Sequence, residues 1–194
     1  MLWTDESKLE IFGCRRRQFV RRRAGERYNN ECLLATVKHG GGSLQVWGCI
    51  SASGVGDLVR INGVLNAEKY RQILIHHAIP SGSRMIGIKC ILQQYNNPKH
   101  TANVIKNYLQ RKEEQKVLEV MVWPPQSPDL NIIESVWDYM KIEGFEEACI
   151  HRRSVVSSPR CLEQLTSRVP SKTSASVSGR IDAILKSKGG HTKY

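Results

Sequence analysis

The 194-residue sequence contains no run of about eighteen apolar residues, which excludes a membrane-spanning helix. Its start, Met1-Leu2-Trp3-Thr4-Asp5-Glu6, lacks the basic-then-apolar order of a secretory leader. No two of its six cysteines (Cys14, Cys32, Cys49, Cys90, Cys149 and Cys161) have the close paired spacing of a zinc site, so reduced thiols are expected. Acidic residues are scarce: 18 Asp and Glu stand against 29 Lys and Arg, for a net charge of +11. That excess favours a polyanionic partner, most often nucleic acid, and bears on association rather than fold. Apolar residues make up 40% of the chain, enough to bury a core at this length, so general disorder is excluded and one domain with a small appendage fits.

The first half reads as strands joined by turns. Leu2-Trp3-Thr4 is a short apolar stub running into Asp5-Glu6, and Cys32 to Val37 is strand-like up to Gly40-Gly41-Gly42. Leu44 to Ile50 alternates, with Val46, Gly48 and Ile50 on one face and Gln45, Trp47 and Cys49 on the other. Gly54 and Gly56 mark a turn before a strand over Leu58–Ile61. Asn66 then caps a helix from Ala67 to Ala78, ended by Pro80.

Met85 to Leu92 is apolar at nearly every position, as a strand buried on both faces would be. Thr101 caps a helix through Val104, Ile105, Tyr108 and Leu109, and Val117 to Trp123 is a strand stopped by Pro124-Pro125. Asp129 or Asn131 opens a helix through Ile132, Ile133, Val136, Trp137 and Met140. Residues 144–178 are Ser-rich and interrupted by Pro159 and Pro170, and a final helix runs from Gly179 to Lys188. Strands first, then alternating strands and helices, predict an α/β fold with a mixed sheet.

A two-metal phosphoryl-transfer site needs carboxylates converging on two divalent ions about 4 Å apart. Asp5 follows a strand stub, and Glu134 sits in the first turn of a helix behind the rigid segment 123–131. The end of the buried strand at Gln93-Gln94 is where a third ligand belongs, and the sequence there is Tyr95-Asn96-Asn97-Pro98-Lys99-His100-Thr101.

Four stretches, WTDESKLEIFG (3–13), QQYNNPKHTA (93–102), WPPQSPDLNIIESVWDYMK (123–141) and KGGHTKY (188–194), resemble the catalytic region of a Tc/mariner-type DDE transposase, in that family's order. The resemblance implies a ribonuclease H-like sheet of about five strands with helices on both faces over residues 1–143. A divergent segment (144–178) and a C-terminal helix with a basic tail (179–194) would follow. It also implies Mg²⁺- or Mn²⁺-dependent cleavage and strand transfer of DNA. Asp5 matches the family's first catalytic aspartate and Glu134 its final glutamate, both as metal ligands.

Four departures stand out. The second aspartate is replaced by Tyr95, a neutral phenol with an ordinary pKa of about 10 and a poor Mg²⁺ ligand. The acidic residue expected two places later is Asn97, and 38 residues separate Tyr95 from Glu134. The family's end-reading helix-turn-helix modules have no counterpart before Met1, so the first strand is expected to be cut to about four residues.

The basic stretch Arg15, Arg16, Arg17, Arg21, Arg22, Arg23 and Arg27, together with Lys99 and His100, is assigned to DNA contact, with a steep salt dependence, while His100 reads equally as a capping or core-satisfied histidine. In the family the basic stretch resembles a clamp-like loop across a transposase dimer, so homodimerisation through it is expected. It also reads as a nuclear localisation signal. The expected partner is DNA, with no membrane and no small-molecule substrate. The reading is a transposase-derived DNA-binding protein that is catalytically defective. Two alternatives stay open: an active endonuclease recruiting Asp129 or Asn97, and a protein-interaction module using the basic hairpin.

Overall fold

The computed structural model describes residues 1–10, 22–26, 29, 43–125, 127–142 and 170–187. The expected strand over Cys32–Val37, most of the 144–178 segment and the tail from Lys188 lie outside them. In chain order the described elements are strands β1 (Leu2–Glu10), β2 (Ser43–Ser51) and β3 (Gly54–Ile61), then helix α1 (Ala67–Ile73). A π-helical turn (Leu74–Ala78), helix α2 (Ile79–Met85), β4 (Cys90–Gln93) and α3 (Asn103–Glu114) follow. β5 (Leu118–Val120), a 3-10 turn (Pro128–Leu130), α4 (Ile133–Ile142) and α5 (Pro170–Lys186) complete the order.

The five strands form one mixed sheet in the order β3-β2-β1-β4-β5. β1 and β2, and β2 and β3, pair antiparallel, whereas β1–β4 and β4–β5 are parallel. Both faces are covered. On one, Trp3, Leu9, Val46 and Ile50 meet Ile133, Val136, Trp137 and Met140 of α4. On the other, Leu2, Trp47, Cys49 and Leu92 meet Tyr70 and Ile73 of α1, Leu74 and Ala78 of the π turn, and Ile105 and Leu109 of α3. Two-sided burial explains why β2 is apolar on both of its alternating faces. The two cysteines among the described residues, Cys49 and Cys90, are buried and unpaired.

Several expectations require correction. β1 is not a four-residue stub: it runs nine residues, through Asp5 and Glu6 to Glu10, because pairing with β2 from Trp3↔Ile50 to Glu10↔Ser43 carries it past its acidic stretch. The helix from Ala67 does not end at Pro80. Proline lacks an N–H and its ring crowds the carbonyl four residues back. The preceding turn widens to a π turn, with Ile79 N–H bonding Leu74 O, and the helix continues to Met85.

Met85 to Leu92 is not one buried strand. Gly87 (φ +100°) and Lys89 (φ +63°) turn the chain, Ile88 is 86% exposed, and the strand starts only at Cys90. The last helix begins nine residues before Gly179, at Pro170, whose fixed φ suits a first helical position. α3 starts at Asn103 with Ala102 as its cap residue, and the Thr101 hydroxyl bonds back to Asn97 O instead.

Candidate active site at the centre of the sheet

Asp5 lies on central strand β1 and pairs with Gly48 of β2. A Cβ at position 48 would stand 2.7 Å from both the Trp137 ring and Leu58. The glycine therefore lets Trp137 of α4 lie on the sheet, where its indole N–H donates to Asp5 Oδ2 at 3.0 Å. Tyr95 follows the last residue of β4, Gln93, which pairs with Trp3 of β1. Glu134 occupies the first turn of α4, with its backbone N–H on Asn131 O at 3.3 Å.

A buried polar network ties these three places together. Gln93 Oε1 accepts from the Thr4 N–H (3.1 Å) and from Asn131 Nδ2 (3.3 Å), while the Thr4 hydroxyl donates to Gln93 O (2.7 Å). Asn131 Nδ2 also reaches Thr4 O (3.3 Å), and its Oδ1 accepts the Ile133 N–H (3.2 Å), opening α4. The first half of β1, the end of β4 and the start of α4 are thus cross-linked next to Asp5, Tyr95 and Glu134. Sequence reasoning named Asn131 as a helix opener and missed this second role. The available signal was a polar residue, Gln93, closing an apolar run, and the structure buries it fully.

α5 supports the same region. Arg180, 7% exposed, donates to Asp129 O (2.7 Å), to the Ser135 hydroxyl (2.6 Å) and to the Ser176 hydroxyl (3.2 Å). One guanidinium therefore joins the 3-10 turn and the residue after Glu134 to α5.

Burial pushes the Asp5 carboxyl up to about 7, the neighbouring charge of Glu134 adds to the rise, and the bond from Trp137 only partly offsets it. Tyr95 is raised as well, first by burial and then by the carboxylates of Asp5, Glu134 and Asp129, so the phenol shares their field. Its hydroxyl is buried without a hydrogen-bond partner, the Asn131 amide tempering the shift without completing a bond. The ring packs edge-on to Trp123 (6.2 Å), which is edge-on to Trp3 (5.7 Å). The Trp-Pro-Pro segment thus shapes the wall of the site, as expected of a rigid turn.

Glu6, adjacent to Asp5 and pointing to the opposite face, is driven the other way. Burial alone would raise it, but hydrogen bonds and charge from His100 and Lys99 outweigh that and hold it below the ordinary carboxylate range. His100 Nε2 meets Glu6 Oε1 and Lys99 Nζ meets Glu6 Oε2, both at 2.9 Å. His100 Nδ1 donates to Tyr95 O at 2.9 Å, and the ring stacks on Tyr70 at 4.0 Å.

Of the two readings of His100, DNA contact or a core-satisfied histidine, the structure shows the second, and Lys99 turns inward beside it instead of outward to phosphate. The His100 side chain is 2% exposed with both ring nitrogens engaged, and Lys99 is committed to Glu6. Of the basic stretch, Arg22 and Arg23 are exposed, and the Arg23 backbone N–H bonds the Glu26 carboxylate (2.9 Å). Arg15, Arg16, Arg17, Arg21 and Arg27 lie outside the described residues. Asn97 caps its own turn, its carbonyl accepting the His100 and Thr101 N–H groups.

Two divalent ions would need a carboxylate shared between them. The donor set here is two carboxylates and a phenol whose proton is held by burial. Among the described residues, no three His, Cys, Asp or Glu side chains converge on a possible ion. The residues present do not fit a two-ion centre.

The family model described as "DDE superfamily endonuclease" matches residues 1–156. The Tcb1 transposable-element transposase of Caenorhabditis briggsae is 34% identical over 195 residues, spanning 100% of this chain and 70% of that protein. The Tc1 transposase of Caenorhabditis elegans is 33% identical over 199 residues, with the same coverage. Among solved structures, a pre-cleavage Mos1 transpososome superposes with a TM-score of 0.74 at 18% identity, over 99% of this chain and 56% of that one. Mos1 paired-end complexes with Mn (TM-score 0.68) and with Mg (0.67) show the same fold at 18% identity. The chain thus spans 56% of the length of these Mos1 chains. The five-stranded sheet is accordingly the ribonuclease H-like fold, and the chain belongs to the DDE superfamily endonuclease family, as a Tc/mariner transposase catalytic domain.

Proposed function

We propose that this chain is a transposase-derived DNA-binding domain whose cleavage and strand-transfer centre is disabled at one position. The observation that carries this is Tyr95: a phenol whose hydroxyl is buried without a hydrogen-bond partner occupies the position of the family's shared carboxylate, beside strands β1 and β4, which otherwise keep the site's architecture. Without that charge, a second Mg²⁺ or Mn²⁺ has no shared anion to hold it, and the Glu134 charge beside Asp5 is left without two ions to offset it. Asp5 and Glu134 are the ligand pair that remains, able to hold a single ion weakly.

DNA binding in this reading is electrostatic and nonspecific. It is supported by the net charge of +11 and by the fold shared with Mos1 transposase, one structure of which is a paired-end complex with left transposon end. Homodimerisation through the basic segment, and residence in the nucleus where its DNA would be, belong to the same proposal.

The test is nicking of supercoiled plasmid in Mg²⁺ or Mn²⁺, with a gel-shift series in rising salt. The unmodified chain is expected to shift DNA at low salt, lose it steeply as salt rises, and leave the plasmid intact. The Tyr95→Asp protein is expected to nick. Efficient nicking by the unmodified chain would overturn the reading of the site, and DNA binding insensitive to salt would overturn that of the partner.

A further inference from the structure

Beyond Gln93 the sheet ladder ends, and the segment carrying position 95 is held by side chains. Tyr70 donates to Gln94 Oε1 (2.8 Å) and Asn96 Nδ2 donates to Trp123 O (2.7 Å). The third tie reaches the backbone of residue 95 itself: His100 Nδ1 bonds Tyr95 O while His100 Nε2 bonds Glu6. Glu6 is the residue after Asp5. Because neighbours on a strand point to opposite faces, β1 presents the first acidic position on one face and the anchor of the second on the other.

We propose that Glu6, acting through His100 and Lys99, is the positioning residue that sets the second ligand position relative to Asp5. The proposal rests on the reading of the site given above and goes beyond it by naming what keeps the geometry while the ligand itself is lost. A buried ion cluster is a poor route to stability, since apolar residues of similar volume commonly do as well. What such a cluster supplies is a fixed geometry, here a continuous chain from residue 6 through the His100 ring to the carbonyl of residue 95. The stack of His100 on Tyr70 fixes the ring plane, and Lys99 occupies the second oxygen of Glu6, leaving the carboxylate one orientation.

The probe is Mn²⁺ alone, followed by the loss of the free-ion electron paramagnetic resonance signal. Tyr95→Asp is expected to bind one more Mn²⁺ than the unmodified chain. Adding Glu6→Gln, or His100→Phe, which keeps the stack but not the hydrogen bonds, is expected to weaken the added ion by about tenfold or more. Adding Asp57→Asn, which breaks a remote ion cluster, is expected to leave that affinity unchanged. A purely structural role would lower melting temperature in all three without touching affinity. Equal affinity in the Glu6→Gln, His100→Phe and Asp57→Asn backgrounds therefore overturns the proposal.

If Tyr95→Asp gains no ion, the reading of Tyr95 as the disabling residue fails. The positioning role is then judged by amide hydrogen exchange in the otherwise unmodified chain. Faster exchange confined to 94–101 in Glu6→Gln supports it, and unchanged exchange there refutes it.

Discussion

Two ion clusters in this molecule have the same composition and opposite settings. At the centre of the sheet, Glu6 meets His100 and Lys99; near the β3 edge, Asp57 meets His77 (2.9 Å) and Arg84 (2.9 Å). Each is one carboxylate with one histidine and one long-chain cation. The side chains of the first are 10%, 2% and 17% exposed, those of the second 31%, 37% and 60%. In both, hydrogen bonds from the histidine and the long-chain cation outweigh burial and lower the carboxyl's pKa. The difference lies in what water can replace. Around Asp57 solvent can take over a lost contact, whereas around Glu6 a lost contact leaves charge stranded.

The largest test of that difference is removal of the central anion. Glu6→Gln strands a buried imidazole and ammonium, and a loss of about 3 kcal/mol in urea unfolding is expected. A loss below about 1 kcal/mol would put the two clusters on equal terms and break the comparison. Changing volume rather than charge beside the site comes next. Gly48→Ala drives a methyl against Trp137 and Leu58, and about 1–3 kcal/mol should be lost together with part of the Asp5–Trp137 contact. Trp137 fluorescence and unfolding midpoints would show both.

Acidity separates neighbouring residues in sign. Glu6 has a folded pKa below its ordinary 4.5, so its contribution is present above that value and is lost as pH falls through the folded one. Asp5 is raised from 3.8 to about 7, so the folded state holds the proton more tightly, and stability declines as pH rises from about 4 to 7. Asp5→Asn is expected to flatten that decline, and Glu6→Gln to flatten the loss in acid. Melting curves from pH 3 to pH 8 read both, and a decline that survives Asp5→Asn would refute the assignment. The smallest effect belongs to the outer cluster: Asp57→Asn should cost less than about 1 kcal/mol and shrink further in high salt.

What was legible in the sequence followed from local chemistry. Alternation exposed β2, helical spacing exposed α1, α3 and α4, and the motifs around Asp5, Tyr95 and Glu134 located the three site positions. Misreadings fell where apolarity did not mean burial or where a breaker was accommodated. Ile86 and Ile88 look like strand interior and lie exposed in a turn, and Pro80 is absorbed by a widened helical turn. Lys99 was misread for a different reason. A basic residue is assigned to solvent or phosphate by default, and nothing within a few positions announces that Glu6, more than ninety residues earlier, will meet both it and His100.

The sequence by itself determined where most strands and helices would lie, though not all their ends, and which chemical groups would stand at the three ligand positions, because those depend on side-chain type and spacing along the chain. Only the tertiary structure decided what surrounds them: Gly48 making room for Trp137 on Asp5, Gln93 and Asn131 joining β4 and α4 to β1, and Glu6 reaching the carbonyl of residue 95 through His100. Burial and long-range hydrogen bonding set the charge and orientation of those groups, and both exist only once distant segments have been brought into contact.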